Sequence, residues 1–308
     1  MEKKKQHIIP RCYLENFTNN EGFLWALTAD GDSDKIIKIK PRNILTENFF
    51  YSIKFDSNEK SFFVEDTLSN IESVFSGIFK NKISRKIPLT LEERAQVSIF
   101  IASMKHRTKV DRESMRKSLA DLNEKLNEWG DHFEKNPKAK RNYANEIFPK
   151  EERTSFTQDD LKGVLENFND FHSISLIDNV AYVANAIFQM KWAIISPEDD
   201  EEEFITSDHP CVVFRPESIK KYGYMTPGSA PGLVYKDTEL TLPLSSNMAL
   251  MAGWNIKIEA YAPMPSTMIN QINIRSTFYA QEKIIASRKE IVDQIQQDAR
   301  GFKKNEAS

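Results

Sequence analysis

Apolar residues recur along this chain in two rhythms, and the change between them divides it. Gly22 to Leu27 and Ile36 to Ile39 are short apolar runs flanking the turn signal Ala29-Asp30-Gly31-Asp32, a pattern that predicts a β-hairpin. Pro41-Arg42-Asn43 ends it, and the aromatic-rich Asn48 to Ile53 predicts a further strand or an extended segment over the core. From Val64 the spacing becomes three and four: Val64, Leu68, Ile71, Val74, Phe75, Ile78 and Phe79 mark one face of an amphipathic helix. Glu65 and Glu72 lie seven apart on it, close to two turns, so both carboxylates face the same way.

After Pro88, Thr90 with Glu93 three residues on has the form of a capping box. The helix it opens is apolar nearly all round through Val97, Phe100, Ile101 and Met104, which predicts a central buried element. The pattern runs on past Lys105-His106-Arg107-Thr108 through Met115 and Leu119, and a single helix to Trp129-Gly130 is expected, its second half charged and solvated. Glu134 to Thr154, with two prolines and many charges, reads as the most mobile loop. Helical spacing returns from Thr157 through Phe168 and from Ile174 to Met190, as two helices or one bent one.

Beyond Lys191 the texture is that of strands. Trp192 to Ile195, Phe204 to Thr206, Cys211 to Phe214, Leu240 to Leu244 and Met248 to Met251 are β-like, with an acidic turn at Pro197 to Glu203 and a Gly- and Pro-rich loop at Tyr222 to Gly232. Ser266 to Tyr279 and Lys289 to Gln297 read as closing helices, with a frayed tail from Lys303. The fold expected is a single mixed α+β domain over 1–308. An N-terminal segment and hairpin (1–60) and a strand-rich region with closing helices (192–300) supply short, mainly antiparallel strands, on which a helical region (61–191) packs.

Composition narrows the partners. A total of 42 Lys+Arg against 45 Asp+Glu leaves a net charge of -3, which lacks the broad basic footprint of a dedicated nucleic-acid binder and leaves only a local basic groove open. Two cysteines, Cys12 and Cys211, make neither a disulfide framework nor a cysteine zinc site, which favours a reducing compartment. No run approaches the ~20 apolar residues of a membrane span, and the first residues lack a signal-peptide core, so a cytoplasmic protein with no membrane association is expected.

Candidate chemistry begins with the opening block, His7-Ile8-Ile9-Pro10-Arg11-Cys12-Tyr13-Leu14-Glu15-Asn16-Phe17, which is dense in aromatic and polar residues where most chains fray. It reads as a buried segment delivering His7 and Arg11 to a polar pocket. His7 has two readings, a hydrogen-bonded core histidine or a general base or metal ligand. Glu65 and Glu72 are structural ion-pair partners or metal ligands. Arg107 with Lys105 and His106 either complements a helix C-terminus or binds a carboxylate or phosphate. In Ser207-Asp208-His209-Pro210, Asp208 either closes a turn or points into a cleft. Ser207 with His209 lacks the glycines of a nucleophile elbow, and P-loop, dinucleotide, zincin and double Cys-x-x-Cys patterns are all missing.

The block His7-x-x-Pro10-x-x-Tyr13-Leu14-x-x-Phe17, the acidic pair Glu65 and Glu72, Phe100 to Thr108 with Arg107, Trp192, Phe204-Ile205-Thr206-Ser207-Asp208-x-Pro210 and Leu242-Pro243-Leu244-Ser245 occur in an order that resembles the family catalogued as domain of unknown function 4238, widespread in bacteria and also seen in fungi. Arg11 stands where members often carry Gln and His209 where they often carry Asn. The resemblance brings no activity with it; it implies that polar residues from opposite ends of the chain share one pocket. The sharpest structural expectation is that His7 lies close to Asp208.

Two functions fit that pocket. In the first, a metal-dependent hydrolase acts on nucleic acid or a nucleotide. Asp208 with Glu65 or Glu72 holds Mg or Mn, Arg107 neutralises the phosphate, His7 activates water, and Arg11, Tyr13 and Ser207 contact the substrate. In the second, a non-catalytic ligand-binding or interaction protein of a stress or defence system uses the same residues as a buried network, its protein partner unspecified. Convergence on a water-filled pocket favours the first, and full pairing inside a closed core the second.

Overall fold

The computed structural model describes residues 5–28, 35–54, 60–136, 158–215, 232–258 and 260–306. The expected Ala29–Asp32 turn, most of the Glu134–Thr154 loop and all but the last residue of the Tyr222–Gly232 loop lie outside these. In chain order the elements are β1 (Lys5–His7), α1 (Arg11–Leu14), β2 (Leu24–Thr28), β3 (Ile36–Ile39), β4 (Thr46–Asn48), β5 (Ile53–Lys54), β6 (Lys60–Ser61), α2 (Phe63–Asn81), α3 (Leu91–His106), α4 (Lys109–Lys135), α5 (Gln158–Glu166), α6 (Phe168–Gln189), β7 (Lys191–Pro197), β8 (Thr206–Ser207), β9 (Val212–Phe214), β10 (Glu239–Ser245), β11 (Met248–Gly253), β12 (Tyr261–Met264), α7 (Ser266–Tyr279), β13 (Lys283–Ala286) and α8 (Lys289–Glu306).

The strands form a five-stranded sheet, β12-β7-β11-β10-β9, a four-stranded sheet, β3-β2-β13-β8, and two two-stranded pairs, β1-β4 and β5-β6. All pairings are antiparallel except β7 with β12. The four-stranded sheet joins the N-terminal hairpin to β13 and β8, so it requires both ends of the chain. This is the mixed α+β architecture that the pattern predicts.

The largest core cluster unites the opening block (Ile8, Ile9, Tyr13, Leu14, Phe17) with α2, α3, α6 and the inner faces of β10 and β11. The capping box is present, with the Thr90 hydroxyl accepting from the Glu93 amide and the Glu93 carboxylate from the Thr90 amide. Every residue from Phe100 to Met104 is buried, because α3 is surrounded by other elements, and Phe100 stacks on Phe75 of α2 at 3.6 Å between centroids.

Four expectations are corrected. The helix from Leu91 stops at His106 and a second starts at Lys109, because Thr108 is extended and its hydroxyl caps the new helix by accepting from the Asp111 amide. Asn48–Ile53 is not one strand: it turns at Phe49, whose φ is 58°, and this turn drops Phe50 and Tyr51 into the core. The second closing helix does not end at Gln297, since α8 continues to Glu306. Phe204 and Ile205 lie outside the ladder, where only Thr206 and Ser207 pair with β13. The short strands β1, β6, β12 and β13 carry no clear period of their own and go beyond the reading.

A candidate site at the junction of the third and fourth helices

Arg107 occupies the break between α3 and α4. Its φ of -88° and ψ of 0° leave the helical path, and the side chain turns inward, 2% exposed. Nη1 donates to Glu72 Oε1 at 2.7 Å, Nη2 to the His7 carbonyl at 2.9 Å and Nε to the Tyr51 hydroxyl at 3.2 Å. The Tyr51 hydroxyl in turn faces the carbonyls of Ile8 and Arg107, at 3.4 and 3.3 Å. Burial alone pulls the guanidinium pKa down, but Tyr51 and Glu72 more than reverse it, so Arg107 is held cationic.

Gln6, itself buried, extends the network. Its Nε2 donates to Glu65 Oε2 at 2.9 Å and to Ser52 Oγ at 3.4 Å, while its Oε1 accepts from the Tyr51 amide at 2.7 Å. Glu65 thus meets Gln6 of β1, whereas Glu72 meets Arg107, which itself bonds the His7 carbonyl of β1. His7 is held through the Pro41 carbonyl, and its Nε2 is buried with no hydrogen-bond partner. Burial depresses its pKa below 6.5 against the opposing pull of Pro41 and Glu72, so the ring is neutral at pH 7.

The other face of the opening block grips the C-terminal strands. The Tyr13 hydroxyl donates to the Pro243 carbonyl at 2.7 Å and also meets Thr206 Oγ1 at 2.7 Å. Asn16 Nδ2 donates to the Leu244 carbonyl, and the Ser246 amide to the Asn16 carbonyl. The register of β10 shifts between Pro243 and Ser245, where the irregular strand frees these carbonyls for the N-terminal segment. Arg11, by contrast, is not delivered to a pocket: its side chain is 61% exposed and pairs with Glu15 one turn on.

Asp208 lies in a separate network. Its Oδ1 accepts from the amides of Gln281 and Lys283, at 3.1 Å each, where β13 begins. Burial raises its pKa, opposed by the backbone amides of residues 281–283. Ser207 Oγ accepts from the His209 amide at 3.1 Å, closing the turn. The electrostatic neighbours of His7 are Glu72, Arg107 and Arg11, and that of Asp208 is Glu282. The expected pairing of His7 with Asp208 is therefore not among the contacts either makes.

A second polar cluster, which the sequence does not announce, lies on the far side of the same break. Asp111 accepts from His106 Nδ1 at 3.1 Å and pairs with Lys105 at 3.8 Å, and Thr108 Oγ1 meets His209 Nδ1 at 3.3 Å. His172 of α6 lies 1% exposed with Nδ1 unpartnered, and Nε2 of His106 is likewise buried and unpartnered. Burial depresses both His172 and His209 to about 4. Gln6, Tyr51, Asp111 and His172 are the site residues that the sequence hides: each is one polar residue in an otherwise explicable run. Thr108-x-x-Asp111 was the available signal for the break, being a capping pattern in its own right.

The family described as Protein of unknown function (DUF4238) matches residues 5–290, nearly the whole chain. The chain belongs to this family. Comparison with curated proteins and with solved structures finds no match. The DUF4238 match spans the opening block, the Arg107 break and the Ser207–Asp208 turn together, so all three networks lie inside one family domain.

The chemistry open to these groups is limited by how they are bonded. Burial pushes both thiols, Cys12 and Cys211, up to about 12, so neither is a thiolate at neutral pH. Among the described residues no group of three or more His, Cys, Asp or Glu side chains is arranged to hold a metal ion. Glu72, expected as a Mg or Mn ligand, is taken up by Arg107, and Asp208 by backbone amides. Nor does any described helix have the length and apolarity to cross a membrane.

Proposed function

We propose that this chain is a non-catalytic ligand-binding or interaction protein, in which the polar set locks the N-terminal segment against the rest of the fold. The observation that carries this reading is that Glu65, Glu72, Arg107 and Asp208 all have protein partners at hydrogen-bond distance, with Arg107 nearly inaccessible. A phosphate or metal arriving at these groups would have to displace those partners first. Residence in the cytoplasm fits the same reading, since Cys12 and Cys211 are both unpaired.

The hydrolase keeps one observation in its favour, the neutral His7 ring with a free Nε2. The two separate cleanly by experiment. Thermal unfolding with and without Mg and Mn, on wild type and on Asp208→Ala, is combined with cleavage assays on single- and double-stranded nucleic acid and on nucleotides. An interaction protein shows no metal-dependent rise in midpoint and no turnover. Cleavage that disappears in Asp208→Ala or His7→Ala would restore the hydrolase.

A further inference from the structure

A large cavity lies away from the polar networks, between the outer face of α7, the first half of α8 and the acidic turn after β7. It is an open groove of about 1170 Å³, larger than most small-molecule sites. The sequence of α7 explains why it exists. Ile269, Ile272 and Tyr279 point into the molecule and are buried, yet the opposite face carries Ile274 and Phe278, one turn apart and 58% and 43% exposed. A helix apolar on both faces has one face more than its own fold uses. Across the groove α8 presents Ile291 and Ile295, spaced likewise one turn apart, which rest on the small core beneath β13.

The rim has one sign. Six consecutive acids, Glu198 to Glu203, form the turn, and the groove lining holds five carboxylates (Glu201, Glu202, Glu203, Glu290, Asp298) against a single guanidinium, Arg288. Arg288 is already engaged by Glu201 at 3.3 Å and Glu203 at 3.0 Å. Glu202 adds a further carboxylate to the same lining, so the rim keeps an excess of negative charge that Arg288 does not balance.

We infer that this groove docks a basic amphipathic helix of a partner protein, its apolar stripe laid between Ile274 of α7 and Ile291 and Ile295 of α8 and its lysines or arginines on the acidic rim. The parallel stripes at one-turn spacing suit helix-in-groove recognition, and the excess of carboxylates selects the sign of the ligand. The inference rests on the interaction reading above and names the chemistry of the partner.

The test is fluorescence anisotropy with two labelled synthetic helices of identical leucine pattern, one bearing lysines on its polar face and the other glutamates, on the full chain. The lysine peptide is expected to bind, and at least tenfold more tightly than the glutamate peptide, with affinity falling as salt rises. Ile274→Glu should weaken it at least tenfold; being at an exposed position, this variant should keep the wild-type Tm. Glu202→Gln should weaken it severalfold. No binding of the lysine peptide, equal binding of both peptides, or binding indifferent to both variants overturns the assignment. A hydrolase result in the cleavage assays would leave this readout intact, so failure of the groove and failure of the interaction reading are told apart.

Discussion

If Arg107 is a lock, removing its counter-charge must cost far more than an ordinary surface ion pair. In Glu72→Ala the guanidinium keeps its bonds to the His7 carbonyl and Tyr51 but loses the one carboxylate that it contacts among the described residues, at 2.7 Å. Breaking a buried pair from one side typically costs about 3–5 kcal/mol, against about 0–1 for an exposed pair. Since the Glu72 side chain is 21% exposed, water can partly replace it, and the low end, about 3 kcal/mol, is the value to expect. Arg107→Met removes the same pair and also strips the His7 carbonyl of its donor, at a further ~1–3 kcal/mol for an unsatisfied buried group. The double variant Glu72→Ala/Arg107→Met leaves no uncompensated charge, so it should be more stable than the sum of the single changes by about 2 kcal/mol. Urea unfolding at constant m is the assay, and near 2 °C per kcal/mol the Glu72→Ala midpoint should drop by about 6 °C on heating. A Glu72→Ala variant within about 0.5 kcal/mol of wild type, or an additive cycle, would refute the lock.

Two further outcomes follow from the same networks. His172 and His209, both held at about 4 against 6.5 when unfolded, bind fewer protons folded than unfolded between those values; stability should therefore be full above about pH 6.5 and fall toward pH 4, by about 3 kcal/mol per ring at most, and urea midpoints that stay flat from pH 7 to 5 in wild type would contradict their burial. Tyr13→Phe orphans the Pro243 carbonyl and the buried Thr206 hydroxyl at once and should cost about 1–3 kcal/mol with unchanged far-UV circular dichroism, part of it recovered by adding Thr206→Val; an unaltered urea midpoint would show the hydroxyl to be idle.

Much of this fold is legible in the chain because its long elements obey a single period. The amphipathic stripe of α2, the all-round apolar run of α3 and the capping box at Thr90 each depend on residues within one or two turns. What escapes the sequence depends on partners far away. The α3–α4 break has neither Gly nor Pro, its one local signal is the Thr108 cap, and the apolar spacing runs straight through it; Arg107 leaves the helix in a place where Glu72, Tyr51 and the His7 carbonyl receive it, and none of these is local. β13 is four residues between two helices, and it becomes a central strand only because β2 and β8 flank it. The opening block announced its importance by density, yet its composition could not separate Tyr13, which bonds to β10, from Arg11, which faces solvent.

The break explains why polar blocks so far apart belong together. Arg107 and Thr108 are adjacent, but the change of direction sends one side chain to the N-terminal segment and the other to His209, which follows Asp208. Asp208 fixes the start of β13, the strand that pairs with β2 of the N-terminal hairpin. The chain is therefore closed twice around the same two-residue hinge, through loops of about a hundred residues each. Closure entropy grows only logarithmically with loop length, so a few buried polar bonds, each intolerant of a missing partner, fix both ends at little more cost than would close much shorter loops. Residues arranged for that task must be buried and mutually satisfied, whereas a hydrolytic centre needs some of them free. The internal bonding of Glu72, Arg107 and Asp208 is what such a closure requires, and under the proposed interaction reading recognition falls to a surface elsewhere, the acid-rimmed groove between α7 and α8.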